Sequence, residues 1–194
     1  MPRPIEFNRN QVLESAMQVF WSQGYQSTSM RDLVLATGLQ PGSLYGAFKS
    51  KHELFRSALE RYEHRIDGHV EKLLSGELSP INSIRRFFDS LITQCLNDHA
   101  KRGCLMVNTL LEMPAADKVV SQQVSALVSS IEQAFFTLLM QARESGELSS
   151  ERCPDVLSKV LTSGILGLRV YNKSNPSPDE LKVLVTGILC CLDR

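Results

Sequence analysis

Apolar residues along this chain return at intervals of three and four, and each such stretch is bounded by a cap or a breaker. Asn8 with Gln11 three residues on opens a first helix. There Leu13, Ala16, Met17, Phe20 and Trp21 share a face before Gly24 stops it. A second, short helix starts at Thr28 or Ser29, the latter with Asp32 at its third position. It turns Met30, Leu33 and Val34 inward and ends at Gly38. Pro41 falls at the first position of a third helix, where its missing N–H is harmless, and Leu44 and Phe48 share that helix's inner face. Ser50-Lys51-His52-Glu53 forms a capping box for a fourth helix. Its apolar residues Leu54, Phe55, Ala58, Leu59, Tyr62, Ile66, Val70 and Leu73 run to Gly76. Residues 51–75 would span about 37 Å as a helix, enough to connect two domains.

The remaining chain repeats this grammar. Ser79-Pro80 opens a helix with Ile84, Phe87, Phe88, Leu91, Ile92 and Cys95, and Gly103-Cys104-Leu105 begins a short one that Pro114 closes. Residues 117–145 form a long helix with Val120, Val124, Leu127, Ile131, Phe135, Leu138 and Ala142 inward, stopped by Gly146. Cys153-Pro154 opens the next, which Asn172–Pro176 breaks, and the capping box at Ser177-Pro178-Asp179-Glu180 starts a last helix. About nine helices and no strand pattern predict an all-α protein. Two domains are expected: residues 1–50, extending into the connecting helix 51–75, and residues 51–194.

Composition narrows the class. At 43% hydrophobic and 22% charged, 194 residues fit a soluble globular protein. The longest apolar run, Gly164–Leu168 and its neighbours, is broken by Arg169, so no membrane span is expected. Arg3, Glu6 and Arg9 interrupt any signal-peptide core, and a cytoplasmic location is expected. Five cysteines without a C-x-x-C spacing read as reduced thiols, and the four histidines lack metal-ligand spacing, so neither a metal nor a cofactor is expected. Net charge is zero, and residues 1–52 carry five cations (Arg3, Arg9, Arg31, Lys49, Lys51) against three acids (Glu6, Glu14, Asp32). Bulk charge thus gives no sign of nucleic acid, and any such function must rest on pattern and geometry.

Geometry offers such a case. A short helix, a tight turn and a compact third helix match a helix-turn-helix, whose second helix enters the major groove. With Leu44 and Phe48 turned inward, Gln40, Ser43 and Tyr45 face outward, and Gly46 and Ala47 let the backbone approach. Thr28 and Ser29 begin a helix whose N–H groups suit a phosphate, and Lys49 and Lys51 flank the far side. The competing reading of the same pattern is a plain three-helix packing unit with a solvated surface.

The run Ala16-Met17-Gln18-Val19-Phe20, Gly24-Tyr25, Thr28 to Leu33, Gly38-Leu39, Gly42 to Tyr45, Phe48 to Lys51 and Leu54 resembles the N-terminal domain of TetR/AcrR-type transcriptional regulators. The likeness covers residues 5 to about 60. It implies phosphate contacts from Thr28 and Lys51. It also implies groove-facing or backbone-contacting positions for Arg31, Gln40, Pro41, Gly42, Ser43, Tyr45 and Gly46. Gly46 and Ala47 depart from it, since many relatives carry a bulkier aromatic or a histidine there. The resemblance further implies a homodimer on a pseudo-palindromic operator, a small-molecule effector in the body, and pairing of subunits through the last two helices.

Leu184, Ile188 and Cys191, with Val183 and Gly187, suit that dimer face and suit an intrachain core as well. Phe87, Leu91, Phe135, Asn108 and Cys104 are the candidate effector residues, although the phenylalanines read more readily as core and Asn108 reads equally as an exposed helix residue. Gly103-Cys104-Leu105, after Lys101 and Arg102, resembles the Gly-Cys-Leu segment of the NemR-like branch, in which the cysteine senses electrophiles or oxidants. Cations and a helix start are the setting in which thiols become reactive. A packed small hydrophobe is the alternative. No phosphate loop, nucleophile elbow or His/Asp/Glu constellation argues for an enzyme.

Overall fold

The computed structural model describes residues 7–113 and 117–193, and within them helices joined by short loops make up the chain. The elements are α1 (Arg9–Gln23), α2 (Met30–Thr37), α3 (Pro41–Phe48), α4 (Lys51–Leu73), α5 (Pro80–Asn97), α6 (Leu105–Glu112), α7 (Lys118–Glu144), α8 (Pro154–Tyr171) and α9 (Pro178–Leu189). A short 3₁₀ turn follows each of the last two, at Asn172–Ser174 and Cys190–Leu192. No strand occurs among the described residues. Arg3, Glu6 and the expected stop at Pro114 lie outside them.

The caps read from the sequence set the helix starts. Asn8 accepts from the Gln11 N–H, Ser50 accepts from Glu53, and Ser29 with Asp32 and Ser177 with Glu180 form reciprocal capping boxes. Each box satisfies N–H groups that the first helical turn leaves unpaired. Gly38 closes α2 in the left-handed region at φ 68°, which a side chain would resist. Lys49 takes φ 60° between α3 and α4, a positive value without glycine's freedom.

Burial divides into two clusters, and the line between them does not run at residue 50. One joins α1 to α3 and the first half of α4 with α6 and the start of α7, around Phe20, Leu44, Phe55, Met106 and Val124. The other joins the end of α4 with α5, the rest of α7, α8 and α9, around Phe88, Phe135, Leu161 and Leu181. The helix α4 therefore spans both, as its length predicts, and α7 does too.

The 27 residues of α7 are long and apolar enough by composition to cross a membrane, a feature that the search for unbroken apolar runs passes over. The fold accounts for it, because nine of them, from Val120 to Ala142, are buried against the rest of the chain.

Candidate nucleic-acid interface

The helix-turn-helix is built from the inside. Leu33, Leu44 and Phe48 are buried together with Phe20 and Phe55, whose rings meet edge to face at 5.0 Å. That packing fixes which face of α3 looks out. Gln40, Pro41, Gly42, Tyr45 and Gly46 are exposed and Ser43 is half-buried, and nothing stands near the glycine positions 42 and 46. Tyr45 is 49% exposed although it is a large aromatic one residue after the buried Leu44. Five of these six residues are thus open to solvent, with Ser43 partly covered.

Around that face stand polar groups suited to a phosphate backbone. Ser29 and Arg31 are exposed at the start of α2, and Asp32 holds Ser29 through its N–H at 2.8 Å and its hydroxyl at 2.6 Å. Those hydrogen bonds keep the Asp32 carboxyl below its ordinary pKa. Lys49 is exposed at the opposite end. Lys51 stands with its ammonium 4.4 Å above the Tyr25 ring and 3.5 Å from the Gln26 carbonyl oxygen, and partial burial lowers its pKa. Arg9, outside the expected set, lies 4.5 Å above the Phe48 ring. The Thr28 side chain faces inward. It is 2% exposed, and its hydroxyl donates to the Gly24 carbonyl at 2.6 Å, so it locks the turn into α2 from within.

Known proteins share this arrangement. Residues 12–58 match the family described as bacterial regulatory proteins of the tetR family, and residues 80–187 match the tetracyclin repressor-like C-terminal domain. The chain belongs to the TetR family. Its members are DNA-binding transcription regulators. The transcriptional repressor ComR of Escherichia coli is 28% identical over 180 residues, covering 92% of this chain and 86% of that protein. A cysteine mutant of the TetR-family regulator CifR, solved with a 26-bp double-strand operator DNA, superposes with a TM-score of 0.86. It is 28% identical and covers 97% of this chain and 98% of that one. Reduced NemR of Escherichia coli shares the fold at a TM-score of 0.82 and 20% identity, over 93% of this chain and 94% of that one.

In this TetR-family chain the candidate effector residues fall in two places. Phe87, Leu91 and Phe135 belong to the second cluster. Leu91 and Phe135 are buried outright, with Phe87 edge-on to Phe135 at 5.6 Å. Phe87 also borders an open cleft of about 470 Å³ beside Leu73, Leu78 and Arg86. Cys104 and Asn108 lie with the DNA-binding unit's cluster, at the start of α6. Cys104 is 4% exposed and shares a 3.2 Å hydrogen bond with the Tyr62 hydroxyl. Asn108 is buried, donates to the Arg102 carbonyl and accepts from Lys173, both at 2.9 Å. The five residues thus do not line one common cavity.

The residues that tie the DNA-binding unit to the body escaped the sequence reading. The Tyr25 N–H donates to Glu112 at 2.7 Å, the Trp21 indole to the Gly103 carbonyl at 3.1 Å, and His52 meets Asp117 at 2.6 Å. The contacts with Glu112, Gly103 and Asp117 span 65 to 87 positions along the chain, and no local pattern marks them.

On α9, Leu184, Ile188 and Cys191 are partly buried against the second cluster, Ile188 packing on Gly164 of α8. Each meets the intrachain core while keeping part of its surface open. More open apolar surface is carried beside them by Val183, 72% exposed, and by Val156, Val160 and Val170 of α8, each more than two-fifths exposed.

Proposed function

We propose that the chain is a homodimeric repressor that reads a pseudo-palindromic operator with α3 and leaves it when its body binds an effector. The observation that carries the reading is the open face of α3, with Gln40 and Tyr45 outward over a buried Leu44 and Phe48. Gln40, Ser43 and Tyr45 read base edges, and Pro41, Gly42 and Gly46 admit the backbone closely. Ser29, Arg31, Lys49 and Lys51 hold phosphates, and Thr28 sets the turn that aims Ser29. One short helix touches too few base pairs for specificity, so two copies about 34–36 Å apart supply it. The exposed valines of α8 and α9 give the surface for that pairing.

The division of labour runs from residues 1–50, which engage DNA, to residues 51–194, which bind effector and partner. Release follows from a small molecule in the body or from modification of Cys104 by an electrophile or oxidant. The second route is supported by the Tyr62–Cys104 hydrogen bond, which joins α4 to the start of α6. The protein acts in the cytoplasm, on chromosomal DNA, as a regulator rather than an enzyme.

The test is retardation of chromosomal fragments flanking its own gene, compared with random duplex, together with sedimentation. A dimer that prefers one fragment, and loses the preference in Tyr45→Ala, is expected. A monomer at micromolar concentration, or fragments bound equally by wild type and Tyr45→Ala, refutes the reading.

A further inference from the structure

Between the DNA-binding unit and the body lies a cavity of about 300 Å³, lined by Trp21 of α1, Tyr62 and Arg65 of α4, Gln94 of α5, Arg102 before α6, and Arg169 of α8. Two of its three arginines are neutralised within the chain. Arg65 lies 2.9 Å from Glu14, and Arg102 lies 3.0 Å from Asp98 while its guanidinium covers the Trp21 ring at 4.2 Å. Arg169 is not. It is 9% exposed, its Nη2 donates to Gln94 Oε1 at 2.6 Å, and its Nη1 stands 4.0 Å from the Cys95 sulfur. Among the described residues no carboxylate comes within 4.0 Å of it.

A buried cation with only neutral partners is unfavourable, because desolvation is met by no opposing charge. A fully paired structural arginine would sit against an acid. This one instead faces an open volume with an indole and a phenol in its walls. We propose that the cavity is the effector site and that it takes a small organic carboxylate, with Arg169 binding the anion and Trp21 and Tyr62 flanking the apolar part. The single uncompensated charge matches a carboxylate better than a phosphate, which carries close to two. The size suits a small ligand, at the low end of binding cavities. This assignment rests on the reading of the chain as an effector-released regulator. A ligand there touches both sides of the joint, with Trp21 and Tyr62 belonging to the DNA-binding unit's cluster or its margin and Gln94 and Arg169 to the body.

The chain has a single tryptophan, and it is in the wall of this cavity, so its emission reports occupancy directly. Full-length protein is titrated with hexanoate and cyclohexanecarboxylate, with the corresponding amides as neutral counterparts, and with hexyl phosphate. A saturable change in Trp21 emission with the acids is expected, at least tenfold weaker with the amides, and absent in Arg169→Met. Gln94→Glu keeps the fold and supplies an internal carboxylate. It is expected to raise the melting temperature of the free protein and to abolish the response to acids. Amides that bind as well as acids, a Gln94→Glu protein that responds like wild type, or hexyl phosphate binding more tightly than either acid each overturns the proposal. Anisotropy of a labelled duplex in the same samples separates the two readings. Protein that holds DNA but ignores all the acids sinks the carboxylate site alone, whereas saturable acid binding in a protein that never holds DNA supports the site and sinks the regulator.

Discussion

Replacing Lys51 with methionine removes one positive charge from each subunit while keeping an apolar stem over the Tyr25 ring, where the ammonium now stands at 4.4 Å. Loss of that cation–π contact costs about 0.5–1 kcal/mol of stability, so the variant stays folded. The DNA consequence is larger and has its own dependence on salt. Each neutralised phosphate contributes roughly 0.9 to the slope of log affinity against log salt, so a dimer that loses two contacts loses about 1.8. Salt that rises fourfold then weakens the variant about twelvefold less than it weakens wild type. Because a phosphate carries no sequence information, the effect appears on random duplex as well as on operator. Anisotropy of a labelled duplex at several salt concentrations measures it. Parallel slopes for wild type and Lys51→Met would show that Lys51 touches no phosphate, and a difference near 0.9 would mean that only one subunit contacts DNA.

Other outcomes follow from the same geometry. Tyr45→Ala removes an exposed ring with little effect on packing. It should leave the melting temperature within about 1–2 °C while weakening operator binding by 1–3 kcal/mol relative to random duplex, and equal loss on both duplexes would count against base reading. Glu14 accepts from Gln18, Arg61 and Arg65, and although partial burial opposes ionisation, these partners bring its pKa from 4.5 to about 2. A lowered folded-state pKa means stability fully present above about 4.5 and lost as pH falls toward 2. About 1–2 kcal/mol is expected after screening, absent in Glu14→Gln, and identical acid unfolding of both proteins would contradict it. Titration of the DNA complex with a quinone or hypochlorite should release wild type and spare Cys104→Ser, and equal release from both rules the thiol out as the sensor.

Local chemistry made the helices legible. The capping residues Asn8, Ser29, Ser50 and Ser177 and the stops Gly24 and Gly38 each act within a few residues, so the chain's order announces them. The exposed positions of α3 were legible for the same reason, since burying Leu44 and Phe48 turns Tyr45 outward. Thr28 was not, because its hydroxyl is turned inward by a bond to Gly24, a choice between two surfaces that spacing does not make. The body was harder still. Leu184, Ile188 and Cys191 are apolar residues at helical spacing, and spacing alone does not say whether the facing helix belongs to the same chain. Arg169 stood out as a charge within an apolar run, yet its neutral partner Gln94 lies 75 positions away.

The connection between the two functions runs through more than the long helix that spans them. Periodicity points to α4 as the lever, since Leu54 and Phe55 pack in one cluster and Val70 and Leu73 in the other. The structure adds a clamp. Gly103, Glu112 and Asp117 bracket α6, and they hold Trp21, Tyr25 and His52, which belong to α1, the turn after it and the first turn of α4. Cys104 and Tyr62 close the same clamp from within at 3.2 Å. The first turn of α6 is packed in the DNA-binding unit's own core through Leu105, Met106 and Val107, so α6 cannot shift without repacking α1 and α4. The cavity with Arg169 and the thiol of Cys104 lie on the two sides of Tyr62, the one residue that lines the first and bonds the second. A ligand in the cavity and a modification of the thiol would thus displace the same phenol, and both would act on the orientation of α3 through the helix that carries it.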